Sequence, residues 1–286
     1  MRRISITASI LLFAAASLGR AEIRGHLFII GGGDRSAALM KQFIALADQA
    51  GGRIVVFPMA SAAPDESGAG QVKEFLELGA KRAEFKILTH DQAMMPEAAA
   101  VLDGAGGVYF TGGDQIRVTN ALVGTPVHKK LLEIYGKGAV IGGTSAGAAI
   151  MSEVMITGDE KTKPAEGQEF STLVADNVIT VPGLGFITTA IIDQHFATRK
   201  RHNRLICLMA EHPKLMGIGI DESTAIIVNP DETFDVAGDK DVVVYDPAHA
   251  SITITPAKAI GIAGMTMHVL LPGTRFDLKT RTVIGR

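Results

Sequence analysis

The stretch Ala139-Val-Ile-Gly-Gly-Thr-Ser145-Ala-Gly-Ala-Ala-Ile-Met151 decides how this chain is read. An apolar start over 139–141 is broken by Gly142-Gly143, and after the serine small and apolar residues run on without a charge. That order predicts a strand, a sharp turn and a buried helix. It also spells Gly-x-Ser-x-Gly at Gly143, Ser145 and Gly147. A serine held at a strand-to-helix corner lifts its hydroxyl above the sheet, and residues two positions away on either side must be small to avoid collision. The helix that follows aims free N–H groups at any negative charge developing there. The same residues would also suit a turn whose serine caps a helix or binds phosphate, so the motif needs partners before it means catalysis.

Upstream, strands and helices alternate. His26–Ile30 is a short apolar strand ended by Gly31-Gly32-Gly33-Asp34, and helical spacing of Leu39, Met40, Phe43, Ile44, Leu46 and Ala47 marks a helix over 36–50. Further strands are expected at 53–57, 84–88 and 107–110, and helices at 72–79, 96–102 and 119–135. This alternation implies βαβ units and a doubly wound, mostly parallel α/β sheet covered on both faces. In such sheets the ligand site lies beyond the carboxyl ends of the strands. The loops 31–34, 59–61, 112–115 and 143–145 should therefore gather there. Past Gly217 the texture changes: 225–228, 233–236 and 242–245, separated by Asn229-Pro230 and Gly238-Asp239, read as antiparallel strands completing one domain over 22–286.

The whole chain has 286 residues, 47% hydrophobic and 20% charged, with a formal net charge of −2. This is globular composition, and the balance lacks the basic excess expected of a nucleic-acid partner. One cysteine, Cys207, excludes an intramolecular disulfide. Met1-Arg2-Arg3, an uncharged run over 4–19 and small residues at Gly19 and Ala21 describe a signal peptide over 1–21. Cleavage after Ala21 would lower the cations from 28 to 25 against 30 acids, a net charge of −5 for an exported, soluble chain.

A serine nucleophile needs a base. Among eight histidines, His195 stands out in Ile191-Ile-Asp-Gln-His-Phe196, where apolar residues lead into a polar triplet, as at a strand end. Arg199, Lys200, Arg201, His202 and Arg204 follow within a few residues. Arginine forks bind carboxylates bidentately, so an acidic substrate fits them; a solvated basic helix face would look the same.

Together with Thr111-Gly-Gly-Asp-Gln115, Gly158-Asp-Glu160 and Gly217-Ile-Gly-Ile-Asp-Glu222, these segments resemble the cyanophycinases of peptidase family S51. The resemblance runs in order through most of residues 26–228. It implies a flavodoxin-like, class I glutamine-amidotransferase-like fold related to aspartyl dipeptidase, no cofactor or metal, and a homodimer. The implied activity is a serine exopeptidase releasing β-Asp-Arg dipeptides from cyanophycin, a poly-aspartate with an arginine on each side-chain carboxylate. By that resemblance Ser145 is the nucleophile, His195 the base and Glu160 the third member. The long interval through 161–176 keeps Glu153, Glu166 and Glu169 as alternatives to Glu160. Gly113 and Ala146 would supply oxyanion-hole N–H groups, and Gln115, Asp193, Gln194, Arg199, Arg201 and Arg204 would shape the substrate pocket, with an acid such as Asp193 taking the guanidinium.

Competing readings are an aspartyl dipeptidase acting on short Asp-X peptides, an α/β-hydrolase esterase using His249 or His268, and a phosphate or nucleotide binder built on the glycine triplet. The triplet lacks dinucleotide spacing and more simply permits a tight turn.

Overall fold

A computed structural model describes residues 23–165 and 167–286. Five parallel strands form its centre: β1 (His26–Ile30), β2 (Arg53–Phe57), β3 (Arg82–Phe85), β4 (Ala105–Phe110) and β5 (Val140–Thr144). Side chains alternate across each strand, so Leu27 and Ile29 of β1 enter one core while Phe28 and Ile30 enter the other. The second core is closed by α1 (Ala37–Gln49), whose Leu39, Met40, Phe43, Ile44 and Ala47 are buried, and by Phe75 of α2 (Pro64–Glu77). On the opposite face lie α3 (His90–Ala93), the 3₁₀ turn Pro96–Leu102, α4 (Gln115–Leu122) and α5 (Pro126–Lys137). The short α6 (Ala146–Ala149) follows β5 directly.

A hairpin of β6 (Val154–Glu160) and β7 (Val178–Pro182) comes next. It leads to a second sheet begun by β8 (Ala190–Gln194), the helix α7 (His202–Glu211) and β9 (Met216–Ile220), with β8 and β9 parallel. The chain then returns to the first sheet with β10 (Thr224–Val228), antiparallel to β1, and β11 (Thr233–Gly238). Six short strands finish it: β12 (Val242–Asp246), β13 (Ser251–Ile254), β14 (Ile260–Ala263), β15 (Thr266–Leu270), β16 (Arg275–Asp277) and β17 (Thr282–Gly285). The main sheet has the order β17-β16-β11-β10-β1-β5-β4-β2-β3, and the second β15-β12-β9-β8. The α/β architecture with antiparallel C-terminal strands is therefore the one the sequence implies.

Three local expectations are revised. Helix α2 begins eight residues before Val72, because Pro64 at its first turn and Asp65 and Glu66 beside the positive end of its dipole start a helix that carries few apolar residues. The periodic run 119–135 is two helices: Gly124 takes φ 80°, and Thr125 accepts a bond from the His128 N–H just before Pro126, starting α5 afresh. Gly142 and Gly143 do not break β5 but belong to it. At Gly143 a Cβ would stand 2.3 Å from the carbonyl oxygen of Gly147, so glycine there lets α6 fold back tightly on its own strand.

Among the described residues no helix is long and apolar enough to cross a membrane. The expected signal peptide lies outside the described residues.

Candidate active site

Ser145 sits between β5 and α6 with φ 55° and ψ −110°, a strained conformation for a residue with a Cβ. Its hydroxyl donates to Nε2 of His195 at 2.8 Å. His195 follows β8 directly and also holds a left-handed backbone, φ 50°. On the other side of the ring, Nδ1–H donates to Oε1 of Glu222 at 2.6 Å. An ionised carboxylate only accepts, so it fixes the proton on Nδ1 and leaves Nε2 to accept from serine.

These groups come from different sheets, and the turn after β1 brings them together. Three successive carbonyls there each take one bond: Ile30 from the Ser145 N–H (3.0 Å), Gly31 from the His195 N–H (2.7 Å) and Gly32 from the Ser223 N–H (2.8 Å). Backbone therefore sets the spacing of serine, histidine and glutamate before any side chain is considered. The glycine triplet has its explanation here. A Cβ on Gly32, which adopts φ +112°, would lie 2.3 Å from Cε1 of His195, within the imidazole ring's own space.

The imidazole is mostly buried, and this desolvation holds its pKa below the ordinary histidine value; the Glu222 hydrogen bond opposes the shift, and the cations of Arg199 and Arg201 add to it. A histidine that stays neutral near pH 7 is able to accept the serine proton. Beside the pair opens a cavity of ≈ 440 Å³ lined by Ser145, His195, Thr111, Gly112, Arg35 and residues of α2. Ala146 begins α6 and Gly113 lies one residue beyond Gly112, so both N–H groups lie at this end of the sheet.

A serine at a strained corner, hydrogen-bonded to an imidazole that a carboxylate holds, is the constellation for acyl transfer. The model for peptidase family S51 matches residues 27–236. The chain belongs to peptidase family S51. It is 33% identical over 267 residues to the cyanophycinase of Trichormus variabilis, covering 90% of this chain and 87% of that protein. It is 30% identical to the cyanophycinase of Geminocystis herdmanii, covering 90% and 95%. A crystal structure of a peptidase from an acI-B1 actinobacterium shares the fold, with a TM-score of 0.65 at 21% identity over 90% of this chain and 98% of that one. The protein is thus a serine-type S51 peptidase.

The geometry corrects several expected site residues of this peptidase. Glu160 does not reach His195: its Oε2 accepts from Nδ2 of Asn177 at 3.2 Å, at the end of β6. Glu153 is exposed just before that strand, while Glu166 and the side chain of Glu169 lie outside the described residues. The acid at the imidazole is Glu222, two residues past the end of β9. An acidic pair, Asp221-Glu222, directly after a buried strand was the signal available in the sequence.

Gln115 is 5% exposed and donates from Nε2 to the carbonyl of Ile156 at 2.9 Å, tying α4 to β6. Asp193 and Arg204, 1% and 2% exposed, form a bidentate ion pair, with Nε to Oδ2 at 2.6 Å and a shorter Nη2–Oδ1 contact. Asp193 is therefore not available for a substrate guanidinium, nor Arg204 for a carboxylate. Arg201 donates to both the backbone and side-chain oxygens of Gln194 at 2.7 Å, and burial, with Arg204 next, pulls its pKa down to about 10. Glu160 belongs electrostatically to this buried group, where burial raises its pKa. None of Gln115, Asp193, Gln194, Arg201 and Arg204 lines the cavity. Arg199 alone of the three arginines is exposed, close enough to act on His195. The alternative bases stand elsewhere: His268 packs edge-on against Phe276, with ring centroids 5.3 Å apart, and His249 is exposed beyond β12.

Proposed function

We propose that this chain hydrolyses cyanophycin to β-Asp-Arg dipeptides through an acyl-enzyme, with Ser145 as nucleophile, His195 as general base and then acid, and Glu222 as the residue that orients the imidazole. The hydrogen-bonded chain Ser145–His195–Glu222 carries this reading. That its relatives at 30–33% identity are cyanophycinases supports this choice of substrate.

As Oγ attacks the carbonyl carbon of an α-linkage between aspartates, its proton passes to Nε2 of His195. Glu222 stabilises the resulting imidazolium. The oxyanion is met by the N–H of Ala146 at the start of α6 and by that of Gly113; losing one such donor costs about 100- to 1,000-fold in rate. Collapse breaks the C–N bond, and the imidazolium protonates the departing amine. Water, deprotonated by the now neutral His195, then cleaves the ester and regenerates Ser145. Residues 1–21 fit an export signal on this reading, since an extracellular polymer has to be met outside the cytoplasm.

The test is incubation of the purified mature protein with insoluble cyanophycin and identification of products by mass. Wild type releases β-Asp-Arg and Ser145→Ala does not. Cleavage of short Asp-X peptides with no dipeptide from the polymer would refute the cyanophycin assignment and leave an aspartyl dipeptidase.

A further inference from the structure

With Asp193 committed to Arg204, the guanidinium arm of a cyanophycin unit needs another acid. The cavity beside Ser145 offers two, both on α2, and Glu66, Ser67, Gly70, Gln71 and Glu74 together form one wall of it. Spacings of four put Glu66, Gly70 and Glu74 on a single stripe of the helix, with the two glutamate Cα atoms about 12 Å apart along the axis. Oε2 of Glu74 accepts from Arg35 at 2.9 Å and from Gln71 at 3.0 Å, which leaves its Oε1 open. Arg35 is itself pinned, donating to Gln71 at 2.7 Å and to the hydroxyl of Tyr109 at 3.0 Å. Glu66 is exposed and makes no ion pair among the described residues.

Gly70 lies between the glutamates, in the interior of the helix. A Cβ there would meet nothing within 4 Å, and its φ is not in the left-handed region. Its neighbour Gly68 differs, because a Cβ on it would strike the ring of Phe85 at 2.6 Å. Glycine weakens a helix interior relative to alanine, and neither packing nor backbone conformation accounts for it at Gly70. What it does create is a slot in the cavity wall between two carboxylates. Thr111, also in its lining, is 5% exposed, and its buried hydroxyl has no hydrogen-bond partner among the described residues.

We infer that the α2 wall is the subsite for the cationic side arm of the substrate: the guanidinium lies over Gly70 and is held by Glu66 and the open oxygen of Glu74. Arg35 is a positioning residue here, fixing Glu74 and offsetting one of the two negative charges. The assignment rests on the cyanophycin reading, and binding separates the two. Ser145→Ala is titrated with two synthetic tetra-aspartates, one bearing arginine on every side chain and the other citrulline, its neutral isostere. The arginyl fragment is expected to bind roughly five- to tenfold more tightly, as one charged hydrogen-bonded pair at a half-exposed site allows, with the advantage shrinking in salt. Adding Glu66→Gln should remove most of that preference, whereas Asp65→Asn, in the same first turn but outside the cavity, should keep it. Gly70→Ala should raise the melting temperature yet weaken the arginyl fragment, an outcome a purely structural glycine would not give. Equal binding of the two fragments, an unchanged preference in Glu66→Gln, or unchanged affinity in Gly70→Ala overturns the subsite. If wild type releases no β-Asp-Arg from cyanophycin while Glu66 still governs arginyl preference, the cyanophycin reading falls and the cation subsite stands.

Discussion

Replacing Glu222 by glutamine tests the catalytic geometry most directly. The carboxylate lies 2.6 Å from Nδ1 of His195 and only 26% of its side chain is exposed, so its bond to the imidazolium is charge-assisted and partly shielded from water. A hydrogen bond to a charged group contributes about 1.5–3 kcal/mol. At 1.36 kcal/mol per tenfold, losing the charge alone slows the chemical step by about 10- to 150-fold. Glutamine also presents an N–H₂ that can face Nδ1, favouring the tautomer whose Nε2 carries a proton and cannot accept from serine. An equivalent change in a serine peptidase triad costs about 10⁴-fold. The expected loss in kcat is therefore about 10³–10⁴-fold, with KM within about twofold because Glu222 does not line the cavity. Steady-state kinetics on soluble cyanophycin fragments measure it, with melting temperature as the check on folding. Glu160→Gln, made in parallel, should turn over near the wild-type rate, since its partner is Asn177. Near-normal kcat in Glu222→Gln, or a hundredfold loss in Glu160→Gln at unchanged stability, would refute the assignment.

Three other perturbations follow from the same geometry. Burial holds the His195 pKa down, so the acid limb of kcat/KM should fall below pH 6.5; Arg199→Ala removes a cation that disfavours the imidazolium, which should raise that pKa and move the limb to higher pH in a pH–rate profile. Gly32→Ala puts a methyl where the imidazole sits, and a misplacement of about 1 Å is enough for a loss near 100-fold in kcat; full activity would mean the β1 turn does not set the histidine. Asp193→Asn leaves Arg204 buried without its carboxylate, at a cost of about 3 kcal/mol, read as a melting temperature lower by roughly 6–12 °C. An unchanged melting temperature with a raised KM would instead return Asp193 to the substrate pocket.

Much of this protein is legible along the chain. Alternating apolar runs and helical spacing give the parallel sheet, since burial on two faces imposes a continuous apolar strand and a one-sided helix. The bend around Ser145 is equally local: small residues two positions away on each side are a steric need that the chain displays in order. His195 was findable as a polar group emerging from a buried strand.

The acid beside the imidazole and the lining of the cavity emerge only in three dimensions. Glu160 and Glu222 are both acids near strand ends, and nothing in their local sequence says that β8 and β9 lie side by side, parallel, with their ends beneath the β1 turn. Arg199, Arg201 and Arg204 look alike in the chain, yet one is exposed, one is held by Gln194 and one is sealed against Asp193. One wall of the cavity comes from Arg35 and the part of α2 from Glu66 to Glu74, more than seventy residues before Ser145, in a stretch with little apolar signal. Local sequence records the steric and burial needs of each segment. Which charged groups face one another depends on contacts between segments distant in the chain, and only the folded sheet order brings those about.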